Sequence, residues 1–454
     1  MELTLQIHWN NRWHDAGLIR FVQPQQGLAG KPMFSYSAGY AVEALEWLGD
    51  FEAQGLIDKT AVGVNLPCHL GGDYLAGEIA PVLRDIIPQG AGRRHWLKML
   101  GYERDPEQAI DTRLLAEGCI APIGNLRIKE AADAFAEKLS QAGPSYFSAE
   151  EVCTRADNLV EHAQAMGVAI GGATGAGGDA PKLLLVENHE ELFALEGTVP
   201  PSEIRKHWLV KFPRGRKTRA DVAVLQGEAA IYRALESRGF NTIKESRLDE
   251  QDGQFALWLT RFDREMVDGE LVCHGVESVY SIMGRIGDGS GLDHAEVISK
   301  LQTCVTWPAN PDRLLADYLV RDILNTAIGN RDNHGRNTSI IKRDRHIELS
   351  PAYDLAPMVL DPEAIARTTL WPRKLRSGTL EPDYPSIINA LSADPGEVTR
   401  GVVDQLEQLT GLKQELAKHG APAEMLENKV IRFNAVEKAL DQLSHPQLTG
   451  QGPG

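Results

Sequence analysis

The sequence predicts an α+β fold in two lobes, a mixed α/β N-terminal lobe followed by a mainly helical C-terminal lobe. Three observations predict it. The first residues alternate apolar and polar side chains, as a strand does; residues 168–186 run strand, glycine-rich loop, strand; and from Val276 onward the pattern is mostly helical. The chain has 454 residues, 43% apolar and 24% charged. That length allows roughly two to four domains with real cores, and the composition excludes collagen, low-complexity and disordered classes.

Taken in order, Leu3, Leu5, Ile7 and Trp9 face one way and Thr4, Gln6 and His8 the other, and turn residues Asn10 and Asn11 lead into Trp13 and Gly17–Val22. A small antiparallel sheet is expected there. From Tyr40 to about Gly101 short helical patches alternate with Gly and Pro, and residues 128–139 and 149–165 read as amphipathic helices. Trp208–Phe212 is a further strand, followed by a basic segment and a helix from about Ala220 to Arg238 that stops at Gly239, where a C′ glycine is expected. Phe255–Phe262 is another strand. No internal repeat is visible. The expected division is 1–125 and 126–265 for two parts of the N-terminal lobe, 266–445 for the helical lobe, and 446–454 for a frayed tail.

Lys plus Arg number 47 against 63 Asp plus Glu, a formal net charge of -16. Such a surface is a poor non-specific ligand for nucleic acid or anionic lipid, so no direct nucleic-acid or membrane role is expected. The cysteines at 68, 119, 153, 273 and 304 are odd in number and widely spaced, with no CxxC pair. That argues against a disulfide framework or structural zinc and for a reducing compartment. With no basic-then-apolar leader and no long apolar run, a soluble cytoplasmic protein is expected.

The strongest chemical signal is Ile328-Gly-Asn-Arg-Asp332-Asn-His-Gly-Arg-Asn337, followed by Tyr353-Asp354. The interval from Asp332 to Asn337 equals that of the kinase catalytic loop, where the Asp accepts the attacking hydroxyl's proton and the Asn holds a metal ion. Asp354, after a strand, stands where a second metal-binding acid is needed. Phosphoryl transfer asks for these types because hard oxygen ligands hold Mg2+ between phosphates while a carboxylate orients the nucleophile. A polar turn whose Asp and Asn cap local backbone groups would also use these residues.

The upstream partners favour the chemical reading. Lys211 interrupts an apolar strand and needs an anionic partner once its neighbours are buried. Glu228 borders the apolar face of the next helix, three residues after Leu225 and four before Tyr232, so it can supply that partner. His334 lies inside the loop, placed to hydrogen-bond Asp332 or a carbonyl rather than to act as base.

Within the glycine-rich loop, Gly175-Ala-Gly177-Gly-Asp-Ala180 nearly fits a dinucleotide fingerprint, but Pro181 and Leu183–Val186 follow where a helix should begin, and Lys182 is not set as in a Walker A motif. A glycine hairpin laid over nucleotide phosphates remains, through Gly175, Gly177 and Gly178, beside the alternative of a plain surface loop. The five cations in 211–219 are either phosphate or acidic-partner contacts or a solvated turn. No HExxH or GxSxG motif is present.

At these residues the chain resembles the HipA family, serine/threonine kinase toxins of bacterial toxin–antitoxin modules with a two-lobed protein-kinase-like fold. Gly17-Leu-Ile-Arg-Phe, Phe34-Ser-Tyr-Ser and Leu83–Arg93 look like the family's N-terminal elements. Gly177–Lys182, Val210-Lys-Phe-Pro213, Thr260–Arg264, the Asn330–Asn337 loop and Tyr353-Asp354 look like its C-terminal core. The resemblance implies Asp332 as catalytic acid/base, Asn337 and Asp354 as Mg2+ ligands, Lys211 as the ATP-phosphate lysine, and a mobile glycine loop. Family members switch themselves off by phosphorylating a serine in that loop; here its only hydroxyl is Thr174. It further implies a HipB-like helix-turn-helix antitoxin partner and protein substrates such as aminoacyl-tRNA synthetases or other translation factors.

The expected activity is therefore an ATP- and Mg2+-dependent serine/threonine protein kinase. A small-molecule phosphotransferase of similar fold, or an inactive kinase-like subunit holding a DNA-binding partner, would share much of this pattern.

Overall fold

Asn10 and Asn11 hold φ of 48° and 59°, the left-handed conformation a tight hairpin requires and that Asn tolerates. In the computed structural model they join β1 (Glu2–Trp9) to β2 (Arg12–Phe21). The structure describes residues 1–49, 60–90, 93–94, 97, 110–156, 158–159, 180–214, 217–287, 289–306, 310–343, 346–362, 365–378 and 381–444. With β3 (Pro32–Tyr36), β4 (Asp73–Tyr74) and β5 (Leu126–Ile128), the hairpin forms an antiparallel sheet in the order β4-β3-β2-β1-β5.

The apolar face of β1 is buried as its alternation requires, but Gln6 and His8 on the other face are buried too. Gln6 is satisfied within the protein, donating to Asp15 and accepting from Arg127, while the His8 backbone carbonyl accepts from Asn125 and its ring packs edge-on against Trp13. Helices α1 (Ala38–Leu48), α2 (Ala76–Ile86), α3 (Asp111–Gly118) and α4 (Lys129–Ala142) accompany this sheet. Ser148 caps the short α5 (Ala149–Thr154), which Arg155 ends by leaving helical geometry. The helix expected over 149–165 is thus interrupted at Arg155 and resumes at Ala156, Asn158 and Leu159, while residues 157 and 160–165 lie outside the described residues.

A second antiparallel sheet runs β7-β6-β8-β10-β9, from β6 (Lys182–Asn188), β7 (Phe193–Leu195), β8 (Ile204–Lys211), β9 (Arg247–Gln251) and β10 (Gln254–Thr260). Alternation divides its side chains. Leu183, Leu185, Trp208, Val210 and Trp258 join the core of the first sheet, which leaves Lys182, Leu209 and Lys211 on the opposite face. Helix α6 (Arg219–Ser237) begins at a Thr218–Asp221 capping box and ends where Gly239 takes φ 71°, as a C′ glycine does.

The hairpin β11 (Arg264–Val267) and β12 (Glu270–Cys273) leads into the C-terminal lobe. There β13 (Gly275–Ser278), after α7 (Val279–Ile282), β14 (Leu292–Asp293), α8 (His294–Gln302) and α9 (Pro311–Ala327), pairs with β15 (Ser339–Arg343), which pairs with β16 (His346–Leu349). The sequence pattern from Val276 reads as mostly helical because these strands run only four or five residues, too short for periodicity alone to separate them from helix. The two-residue β17 (Thr369–Leu370) pairs with β14, and α10 (Tyr384–Leu391), α11 (Pro395–Gln408), α12 (Leu412–Lys418), α13 (Ala423–Leu426) and α14 (Ala435–Ser444) complete the lobe.

The apolar face of α6 packs into the same core as α8, α9 and α11. The architecture is therefore two-lobed and kinase-like, and the second sheet's inner face looks onto the C-terminal lobe. All five cysteines are buried and free. Among the described residues no helix is long and apolar enough to cross a membrane.

Candidate functional site

The site begins with a charge problem. Lys182 and Lys211 are directly opposite each other on β6 and β8, and are 8% and 6% exposed. Like charges opposed across a sheet and removed from water are destabilising unless anions meet them. Lys211 Nζ donates to Glu228 Oε1 of α6 at 2.6 Å and to Asp354 Oδ1 at 2.5 Å. Burial alone would lower the Lys211 pKa, but Asp354 and Glu228 overcome it and hold it above the usual lysine value. Burial lowers Lys182, with Asp354 opposing and Lys211 adding to the fall. The pair thus lines one cleft with cationic donors, the groups that phosphate oxygens accept from.

Asp354 reaches this point from a backbone with φ 54°, a conformation that costs a non-glycine residue some strain and that Asp accepts better than most. The turn is tied down: Asn330 Nδ2 donates to the Asp354 carbonyl at 3.2 Å, and Tyr353 Oη donates to the Arg336 carbonyl at 2.6 Å. Burial would raise the Asp354 pKa, yet Lys211 and Lys182 hold the carboxyl well below the usual carboxylate range.

The loop 328–337 starts where α9 ends. Gly329 takes φ 72°, and a Cβ there would lie 2.8 Å from Val359 and 2.9 Å from Ile431, so both the turn and the packing require glycine. Asn330 Oδ1 then accepts from the Asp332 N–H at 3.0 Å, and Asp332 lines the same cleft as Lys182, Lys211, Arg214, Glu228 and Asp354. Burial pushes the Asp332 carboxyl up and Asp354 adds to it, with Arg214 and Lys182 pulling down; the net is about 7. A second, more apolar recess adjoins, shared through Lys182, Lys211 and Asp354 and walled by Leu209, Tyr232 and Leu259. Together they form a charged end for phosphates and an apolar end that suits a base.

Asn337 Nδ2 donates to the Asp332 carbonyl at 2.7 Å, while its Oδ1 is buried without a hydrogen-bond partner among the described residues. An orphaned amide oxygen costs about 1–3 kcal/mol, and a hard divalent cation would satisfy it. Among the described residues no group of three or more His, Cys, Asp or Glu is poised to hold a metal. The donor set of Asn337 and Asp354, one amide and one carboxylate, nevertheless fits Mg2+, which takes few protein ligands and completes its shell with phosphates and water.

His334 lines neither cleft. Its Nε2 is 3.5 Å from Asp332 Oδ1, its Nδ1 accepts from the Arg336 N–H at 3.1 Å, and its ring stacks on Tyr280. Gly335 is needed there because a Cβ would come within 2.4 Å of the Tyr280 ring. Gly175, Gly177, Gly178 and Thr174 lie outside the described residues. The basic segment is not one patch: Lys211 and Arg214 turn inward, Arg214 pairing with Asp361, whereas Arg219 pairs with Glu424 at the surface.

Two features escape the sequence. Lys182 shows there only as a failed Walker A lysine; its meaning comes from its register opposite Lys211. Arg336, fully buried, donates from NH1 to Asp85 Oδ1 of α2 at 2.6 Å, and Asp85 also receives the Ser278 N–H and hydroxyl. This ties the N-terminal sheet region to the loop carrying Asp332 across 251 residues of sequence, a separation at which local pattern carries no signal.

The Lys211–Glu228 contact has a measurable consequence. In a double-mutant cycle on ATP affinity, Lys211→Ala and Glu228→Ala are expected to couple by about 1–3 kcal/mol. Additivity within about 0.5 kcal/mol would mean that the two act independently.

The HipA-like C-terminal domain family matches residues 174–409, the span that holds both lysines, Glu228, the 328–337 loop and Asp354. No curated protein matches the sequence. Among solved structures, the chain is similar to HipA of Shewanella oneidensis MR-1, determined in complex with HipB and operator DNA. Identity is 16%, with 98% of this chain and 97% of that one covered and a TM-score of 0.61, a likeness of fold. A second similar structure is the Helicobacter pylori proinflammatory kinase CtkA, with 14% identity over 53% of this chain and 86% of that one and a TM-score of 0.31.

Proposed function

This chain belongs to the HipA-like family, and from that premise we propose that it is an ATP- and Mg2+-dependent serine/threonine protein kinase. The observation that carries the reading is Lys211 Nζ held between Glu228 and Asp354 at 2.6 and 2.5 Å, in a cleft that Asp332 also lines. Buried carboxylates and lysines in this order serve no packing purpose, since apolar residues would fill the space at lower desolvation cost.

In the proposed reaction Lys211 and Lys182 bind the ATP phosphates. Asn337 and Asp354 are the residues that would hold Mg2+, whose chemistry is to neutralise phosphate charge. Asp332 orients the attacking hydroxyl and takes its proton as the Oγ–P bond forms and the bond to the ADP oxygen breaks. A carboxyl that ionises near pH 7 is matched to this task. The glycine loop covers the phosphates, with Thr174 as its one candidate for self-phosphorylation. A HipB-like helix-turn-helix protein is the proposed partner: a chain of net charge -16 needs a basic companion to reach DNA. An aminoacyl-tRNA synthetase or another translation factor is the proposed class of substrate.

Purified protein with ATP is expected to show a thermal upshift that grows with Mg2+ and to transfer label from γ-labelled ATP to protein in a cell extract. On a substrate so identified, kcat/KM should rise with pH through about 7 as Asp332 ionises. Absence of both the Mg2+-dependent shift and the transfer refutes the reading.

A further inference from the structure

Beside the Asp332 loop lies a groove of about 540 Å³ in the helical lobe, bounded by α9, residues 367–376 and 381–384, and α14. Gly329 and Arg331 line it, while Asp332, the very next residue, lines the nucleotide cleft. The same turn of chain therefore borders both cavities. The groove is also the electrostatic opposite of the molecule. Arg331, Arg367, Arg376, Arg432 and Lys438 line it against one carboxylate among the described residues, that of Glu381, in a chain whose net charge is -16.

These cations are only partly used. Glu381 pairs with Arg432, and Arg367 reaches the buried Asp322 and the hydroxyl of Thr326. Arg376 donates through Nε to the Trp371 carbonyl, at the base of its guanidinium. The side chains of Arg331 and Lys438 are exposed and make no ion pair or hydrogen bond among the described residues. Apolar side chains stand beside them at the rim: Leu370 is 50% and Val430 54% exposed.

We propose that this groove docks an acidic segment of the polypeptide whose hydroxyl Asp332 serves, so that the kinase selects serines or threonines with carboxylates nearby. The inference rests on the kinase reading above and adds the substrate class to it. A peptide fits better than a nucleic acid for two reasons. The aromatic side chains of the groove are engaged, Trp371 buried and stacked on His294 and Tyr384 buried, so no free ring face is offered for base stacking. A polyanion would also feel the repulsion of the whole acidic chain, whereas a short acidic segment meets chiefly the local cations. Leu370 and Val430 further suit the apolar side chains that a peptide intersperses among its carboxylates.

The test is fluorescence anisotropy on the full chain with a labelled peptide carrying one serine among alternating glutamates and leucines. Matched peptides with glutamine or lysine for glutamate, and an oligouridylate of equal charge, are the comparisons. The acidic peptide should bind tightest and weaken as salt rises. The double variant Arg432→Glu with Lys438→Glu should weaken it at least about tenfold and bind the lysine peptide better than the parent does. Circular dichroism melting checks that the variant is folded, and the milder Arg432→Gln with Lys438→Gln replaces it if it is not.

Equal binding of acidic and glutamine peptides, tighter binding of the oligouridylate, or an unchanged affinity in the folded variant overturns the inference. The ATP and Mg2+ thermal shift reads the kinase assignment separately. Its absence together with absent label transfer, alongside selective, variant-sensitive peptide binding, refutes catalysis and leaves the acidic-segment groove standing.

Discussion

Asp332→Asn should lower phosphoryl transfer by about a thousandfold and at the same time make the protein more stable. The substitution is nearly isosteric and removes only the charge that accepts the hydroxyl proton. The stability effect follows from the raised pKa. The folded carboxyl ionises near pH 7 against an ordinary 3.8 because burial and Asp354 disfavour its charge. The native state therefore holds the proton more tightly than the unfolded chain does. Its stabilising contribution is full below the ordinary value and is lost as pH rises through about 7.

Asparagine carries no such charge, so the variant should exceed the parent by about 4 kcal/mol at a pH of about 8 and match it only below the ordinary carboxylate value of 3.8. Urea unfolding at the two pH values measures this, and initial rates measure the first effect. A variant keeping more than about a tenth of parental turnover removes Asp332 from the role of base; equal stability at high pH removes the strained carboxylate.

Asp354→Ala is expected to act on binding as well as turnover. Its carboxylate faces Lys211 at 2.5 Å and is the charged member of the proposed Mg2+ donor pair. Its loss should abolish the Mg2+-dependent part of the ATP thermal shift and lower turnover about a thousandfold. Lys182 and Lys211 would then share Glu228 alone, and the apo protein should lose about 1–3 kcal/mol near neutral pH. Because the Asp354 pKa is depressed in the folded state, its contribution is present above the ordinary carboxylate value of 3.8 and is lost as pH falls through the lower folded one. Parent and variant should therefore converge in strong acid. Calorimetry with ATP and with and without Mg2+ decides the first point, and an unchanged affinity and rate would place Asp354 outside the site.

Glu228 and Lys211 illustrate what a sequence can carry. A lysine interrupting an apolar strand and a glutamate on the inward edge of the following helix face the same side of a strand–helix unit, and the 2.6 Å contact between them closes over 17 residues. The 328–337 loop is legible for the same reason: its side chains act on one another within a few residues, Asn337 on the Asp332 carbonyl and Asn330 on the Asp332 N–H. Strand β1, helix α6 and its Gly239 stop were readable because periodicity, caps and turn residues are local physics.

What local physics does not reach, the tertiary structure decided. Gln6 and His8 look solvent-facing until further elements cover the second face of β1. The strand read before Asp354 is there as β16, but β13 and its partner β15 show in the sequence only as part of a mostly helical texture until they pair. Lys182 acquires meaning from the register that sets it against Lys211, and Arg336 from Asp85, brought to it by the packing of α2 against the C-terminal lobe. The basic groove beside Asp332 draws Arg331, Arg376, Arg432 and Lys438 from segments far apart in an acidic chain. The sequence alone determined the order of lysine, glutamate, aspartate, asparagine and second aspartate, because each is placed by its own strand, helix or turn. Only folding could decide which distant charges share one desolvated space, since electrostatic coupling depends on separation and burial in three dimensions rather than on position along the chain.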